Sequence, residues 1–122
     1  PVTRGAGTRV ELRCPDPAAN PYLVLAVCLE AGLDGIRNQI TPPDAVTENV
    51  FEMQLQQRAK LGIESLPGDL EQAVEELEKD DYIKNVLGGH ITEKYLEAKK
   101  AEWADYRAQV TEWEIEKYLY KI

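Results

Sequence analysis

The sequence predicts a mainly α chain, with one N-terminal β-strand followed by four to five helices. Three observations carry that expectation. Charged and apolar residues alternate strictly only once, from Arg9 to Arg13, and apolar residues recur at helical spacing through most of the remaining chain. Residues that cap helices stand at the head of several of these stretches. At 122 residues the chain has the size of one domain or a piece of one.

Residues 1–8 form a lead-in without periodicity. Arg9-Val10-Glu11-Leu12-Arg13 then has the two-residue period of a strand, expected over 9–13, which Pro15 and Pro17 end because neither can donate to a ladder. No second strand of comparable quality occurs after it. A lone strand leaves its backbone groups unpaired, so this one needs neighbours from outside the chain. Asn20-Pro21 opens a helix over about 21–37 by cap and proline, with Gly32 and Gly35 near its end. Residues 22–29 are apolar on most sides, which predicts a buried helix holding Cys28 as a small hydrophobe.

Residues 41–63 contain Pro42-Pro43 and weak patterning, and read as a long surface loop with one turn of helix. Asp69 caps a helix over about 69–79, apolar along Leu70, Ala73, Val74 and Leu77 and acidic along Glu71, Glu75, Glu76 and Glu78. A short helix over about 81–87 restarts at Asp80 or Asp81 and stops at Gly88-Gly89. The longest helix is expected over about 92–109. Thr111 and Glu114 have the spacing of a capping box, with Val110 and Ile115 at the staple positions, so a last helix is expected over about 112–121.

Fourteen basic residues against twenty-two acidic ones give a net charge of −8 and argue against phosphate backbones and anionic lipid as partners. Neither nucleic acid nor membrane is expected, since no apolar run approaches the ~20 residues that cross a bilayer. Cys14 and Cys28 are too few for a disulfide scaffold, and a reducing cytoplasm is the expected compartment.

The predicted strand places Arg9, Glu11 and Arg13 on one face, each about 6.6 Å from the next. A carboxylate between two guanidiniums suits a divalent cation flanked by phosphate, because the acid supplies a hard oxygen and the arginine forks stabilise a phosphoryl group. The pattern alone better suits a solvated strand face whose charges neutralise one another in pairs, since one glutamate does not make a metal site.

The surrounding residues narrow the choice. Arg9 through Leu23, reading RVELRCPDPAANPYL, then EAGLDGI from Glu30 to Ile36 with Asn38, resemble the late catalytic-domain motif of type I bacterial glutamine synthetase. The resemblance continues through Leu66-Pro67, Leu70, Glu97-Ala98-Lys99 and Glu102-Trp103, covering essentially the whole chain. It implies the C-terminal portion of an α+β catalytic domain, consistent with the orphan strand and with Pro1 in place of an initiating methionine. It implies that Glu11 binds one of two divalent ions, Mg or Mn. Arg13 would contact L-glutamate and its activated γ-acyl phosphate as a catalytic residue, and Arg9 would lie near the phosphates of ATP. The implied reaction ligates ammonia to glutamate. The implied assembly is a dodecamer of two stacked hexamers joined through the C-terminal tail. Phe51 stands where relatives controlled by adenylylation carry a tyrosine, so that control is not expected, and the tail is similar to the subgroup inhibited by glutamine.

Other residues take plainer readings. His90 has no ligand partner at metal spacing, the acidic face of 71–78 reads as solvated surface, and Trp103 with Tyr106 reads as packing anchors. Trp113, Tyr118, Tyr120 and Ile122 would leave apolar surface at a chain end unless another chain covers it. A non-enzymatic helical module of the same ancestry, assembling with partners through that tail and the acidic helix, is the rival reading.

Overall fold

In the computed structural model, which describes residues 5–121, the chain divides at Leu66/Pro67 into two units. Each is built differently, and the difference lies in how much of its apolar surface finds a partner.

The first unit opens with a turn in which Gly5 N donates to Thr8 Oγ1 at 2.9 Å and Thr8 N donates to Gly5 O at 3.0 Å. The backbone then runs through 9–13 without a ladder. The expected strand is therefore absent, and no strand occurs among the described residues. The reason is the one its isolation in the sequence foreshadows: no neighbouring strand exists here to accept its hydrogen bonds. Residues 1–4 of the lead-in, and Ile122 of the tail, lie outside the described residues.

Helix α1, Pro21–Arg37, starts where Asn20 Oδ1 accepts from Tyr22 N at 3.0 Å and Leu23 N at 3.4 Å, with Pro21 at the first helical position. It ends in a Schellman closure, Ile40 N donating to Gly35 O and Gln39 N to Ile36 O, which sets Gln39 at φ +52°. A side chain is strained there. Contrary to expectation, α1 is not buried: Tyr22, Leu25, Leu29 and Ile36 are all exposed and Cys28 is half-buried. Its hydrophobicity on most sides describes a helix meant to be covered, and nothing in the first unit covers it.

The 41–63 segment is more regular than expected. Asn49 Oδ1 caps a 3-10 turn, Val50–Glu52, and a second helix, α2, spans Leu55–Lys60. α2 closes in the same way as α1, with Ile63 N on Arg58 O at 2.9 Å and Gly62 N on Ala59 O at 3.2 Å. Here the left-handed position, φ +65°, carries a glycine. Met53 is the buried hydrophobe of this unit among the described residues.

The second unit is a packed helical assembly. α3 (Leu70–Lys79) is capped by Asp69, whose Oδ1 accepts from Gln72 N at 2.8 Å. Asp80 ends α3 and caps α4 (Asp81–Leu87), accepting from Ile83 N at 2.9 Å. Gly88, at φ +78°, turns the chain directly into α5, Gly89–Arg107, so the long helix starts three residues before the expected position and takes His90 into its first turn. α3, α4 and α5 pack on one another. Val74 of α3 is buried, Thr92 of α5 is buried and its Oγ1 donates to Lys84 O at 3.1 Å, and Lys100 of α5 pairs with Glu78 of α3. Trp103 meets Tyr106 with ring centroids 5.8 Å apart.

The capping box at Thr111 and Glu114 is complete, yet the helix it starts is not the one expected over 112–121. α6 covers only Glu112–Glu114 and passes into a π-helix at Ile115–Leu119. Trp113 and Tyr118 meet edge to face across this short segment, with ring centroids 5.7 Å apart.

Val74 is the side chain most enclosed in the second unit, so Val74→Ala should lower the stability of that unit by about 1–2 kcal/mol. Chemical denaturation monitored by circular dichroism would show this as a lower midpoint with the slope unchanged.

Candidate functional site

The residues expected to carry chemistry lie in the extended segment that precedes α1. Without a ladder its backbone is fixed from both ends, by the Gly5–Thr8 turn and by a second turn at Asp16. There Asp16 Oδ1 accepts from Ala18 N at 2.7 Å and its carbonyl accepts from Ala19 N at 2.9 Å. Alternation does the rest. In extended backbone the odd-numbered side chains share a side whether or not a neighbouring strand is present.

Glu11 lies between the two guanidiniums and bonds both. Its Oε1 accepts from Arg9 Nε at 2.7 Å, and its Oε2 accepts from Arg13 NH2 at 2.8 Å. Arg9 NH1 also donates to Gly7 O at 3.1 Å, tying the triad back to the first turn. All three residues are exposed, as are Val10 and Leu12 on the opposite side. The hydrogen bond from Arg13, then that from Arg9, holds the Glu11 carboxyl below the usual carboxylate range.

Two nitrogens of Arg9 engage Oε1, whereas Oε2 keeps a lone pair beyond the one bond from Arg13, so Glu11 has capacity for one hard cation. That is one ligand and not a centre: among the described residues no three metal-binding side chains come together. The two guanidiniums have the matching property for an anion, because a phosphate bound near Glu11 would find planar donors on either side. The arrangement therefore fits one edge of a site for a metal ion and a phosphorylated ligand.

The remaining candidates separate clearly. His90 is exposed in the first turn of α5. The acidic side chains of α3 are engaged with lysines, Glu76 with Lys79 at 2.8 Å and Glu78 with Lys100. Phe51 projects from the 3-10 turn and is 95% exposed, and both cysteines are free thiols. Sequence reasoning passed over Arg58, whose Nε is buried without a hydrogen-bond partner. A lone arginine among glutamines gives no periodic signal, and only the Gly62 that closes α2 hinted that its backbone is fixed.

Against known proteins, the family model described as "Glutamine synthetase, catalytic domain" matches residues 1–118. The chain belongs to the glutamine synthetase family. A glutamine synthetase of Clostridium saccharobutylicum is 53% identical over 121 residues, that of Thermotoga maritima 52% over 120, and that of Methanocaldococcus jannaschii 50% over 119. These alignments cover 99%, 98% and 98% of this chain but only 27%, 27% and 26% of the respective relatives. The chain thus spans about a quarter of the length of the glutamine synthetases it matches. That share is in keeping with a 9–13 segment that finds no sheet to join. No helix among the described residues is long and apolar enough to cross a membrane.

The hydrogen bonds to Glu11 are present only while its carboxyl is ionised. They therefore operate fully above the ordinary carboxylate pKa and disappear as pH falls through the depressed value. In a carboxyl-carbon NMR titration, Glu11 should titrate below the ordinary glutamate range, and Arg13→Ala should move it back towards that range. An ordinary titration in the unsubstituted chain would show that the two guanidiniums do not hold it.

Proposed function

We propose that the full-length protein carrying these residues is a glutamate–ammonia ligase of the type I class. In the proposed reaction the γ-carboxylate of L-glutamate attacks the γ-phosphorus of ATP, releasing ADP and forming γ-glutamyl phosphate. Ammonia then displaces phosphate to give glutamine. The observation that carries this reading is the Arg9–Glu11–Arg13 triad, set in a chain half identical to glutamine synthetases. Phosphoryl transfer needs charge neutralisation and in-line positioning more than it needs a covalent nucleophile, and two guanidiniums flanking a carboxylate supply the first.

Within that reaction Glu11 acts as one ligand of a divalent cation, Mg or Mn, whose role is to neutralise charge on the phosphates. Its depressed pKa favours this, since it keeps the oxygens unprotonated for the ion. Arg13 orients glutamate and stabilises the acyl phosphate. Arg9, anchored to Gly7 O, faces the nucleotide phosphates. Ammonium binding, the second ion and the nucleotide pocket then fall to the rest of the enzyme, so the 122 residues alone are inactive in this reading.

The reading extends to regulation and assembly. Phe51 lacks a hydroxyl, so nucleotidyl transfer has no acceptor at that position, and glutamine feedback is the proposed control. Exposed Trp113, Tyr118, Leu119 and Tyr120 support a tail that docks on another subunit, in a dodecamer of two stacked hexamers. The cytoplasm, where ATP and glutamate are available, is the proposed compartment.

In the full-length protein, Glu11→Ala should raise the Mg concentration needed for half-maximal activity by roughly 10-fold or more. Arg13→Ala should lower kcat by about 100-fold. A coupled assay of ADP release with glutamate, ammonium, Mg and ATP measures both effects. Unchanged kinetics in both variants would remove these assignments, and turnover by the 122 residues alone would overturn the division of the site.

A further inference from the structure

The connection between Arg13 and α1 is stiffer than an exposed linker need be. It runs through Cys14-Pro15-Asp16-Pro17-Ala18-Ala19 before Asn20 caps the helix. The rings of Pro15 and Pro17 fix φ at about −65°, and each also restricts the residue before it, Cys14 and Asp16, towards extended backbone. Proline thus leaves Ala18 and Ala19 with ordinary freedom. Their amides are the two that Asp16 holds: Ala18 N donates to its Oδ1 at 2.7 Å, and Ala19 N donates to its carbonyl at 2.9 Å. Asn20 Oδ1 then accepts from Tyr22 N and Leu23 N, so the restraint passes from the helix to the arginine without a loose joint. Residues 14–18 are exposed, so this stiffness serves no core.

We infer that Asp16 is a positioning residue for Arg13: its turn fixes the direction in which the 9–13 segment leaves α1, and with it the placement of the Arg13 guanidinium. This rests on the reading that Arg13 acts on glutamate and its acyl phosphate. Two observations favour a positioning role over that of a ligand. The Oδ1 of Asp16 is turned onto its own backbone, and among the described residues no three metal-binding side chains come together. The effect falls on Arg13 more than on the rest of the triad. Arg13 lies three residues from Asp16, whereas Glu11 is also held by Arg9, which is anchored to Gly7 O at the far end of the segment.

The test is steady-state ADP release by the full-length protein with glutamate, ammonium, Mg and ATP. Asp16→Ala removes the Oδ1 acceptor. It should lower kcat about tenfold and leave the Mg concentration for half-maximal activity within about twofold. Asp16→Asn keeps the acceptor without the charge and should bring kcat back to within about twofold of the unsubstituted protein. Asp16→Ser should fall between the two, and it carries the comparison if the alanine variant does not fold. In an Arg13→Ala background, Asp16→Ala should lower kcat no further, because residues that act as one unit are not additive. Unchanged kcat in Asp16→Ala would overturn the proposal. So would an asparagine variant as slow as the alanine variant, which would make the charge and not the turn the active feature. A further tenfold loss in the Arg13→Ala background would overturn it too, since Asp16 would then act on something other than Arg13. So would a Mg requirement that rises as much as kcat falls, the sign of general loosening. Arg13→Ala is also measured alone: an unchanged kcat there would remove the Arg13 assignment, and the proposal with it, whereas a slow Arg13→Ala beside a normal Asp16→Ala would remove the proposal only.

Discussion

A carboxylate holding two guanidiniums on one side of an unpaired, extended backbone is the constraint on which the functional reading depends. Ladder hydrogen bonds normally keep a strand extended, and here they are absent. The turns at residues 5–8 and at Asp16 fix the ends, and Glu11 fixes the middle through bonds to Arg9 and Arg13. Exposed ion pairs contribute little to stability, so this arrangement is not a device for holding the fold together. What it does achieve is electrostatic: an acid that stays ionised, next to donors already aligned for an oxyanion.

The two units meet the demand for apolar cover in opposite ways. The second satisfies it internally where α3, α4 and α5 pack, but not along its aromatic tail. α3 turns its apolar stripe inwards around Val74 and its acidic stripe outwards, Asp80 serves two helices at once, and Thr92 ties α5 back to α4. The first does so only around Met53. Along α1, Gly32 and Gly35 have open space where a Cβ would stand, although two glycines in a helix interior cost roughly 0.5–1 kcal/mol each relative to alanine. Such residues are repaid when another element packs close, and no element of this unit does.

Local chemistry was the legible part of the sequence. Asn20-Pro21, Asp69 and the Thr111/Glu114 box each act through side chains within three residues of the backbone they cap, and each start could be read directly. The alternation from Arg9 to Arg13 was legible too, and the sidedness it implied for the triad is seen in the hydrogen bonds, while the strand itself is absent. Pairing is non-local, and no alternation in one segment can supply the segment opposite. Burial of α1 failed for the same reason, since hydrophobicity states that a surface needs cover and not whether the cover is present. The last helix starts where the capping box places it and stays helical to Leu119, but not in α geometry throughout. Its capping box sets only the start, and the change to π geometry at Ile115 is decided beyond the reach of that motif.

Placement of the Arg9–Glu11–Arg13 triad in the less self-sufficient unit has a physical logic. A ligand-binding edge needs donors whose partners come from elsewhere, and a unit that satisfies all of its own groups has none to offer. Helices α3 to α5 pack on one another around Val74, with the indole Nε1 of Trp103 buried without a hydrogen-bond partner. The segment before α1 presents an acid and two guanidiniums to solvent, α1 presents an apolar face, and the Nε of Arg58 is buried without a hydrogen-bond partner. Apolar cover on α1 would fix the helix that Asn20 starts, and through the Asp16 turn the end of the 9–13 segment that carries Arg13. Docking of an apolar helix and positioning of Arg13 are then coupled: burial supplies the free energy, and the short connection from Cys14 to Asn20 carries it to the segment before α1.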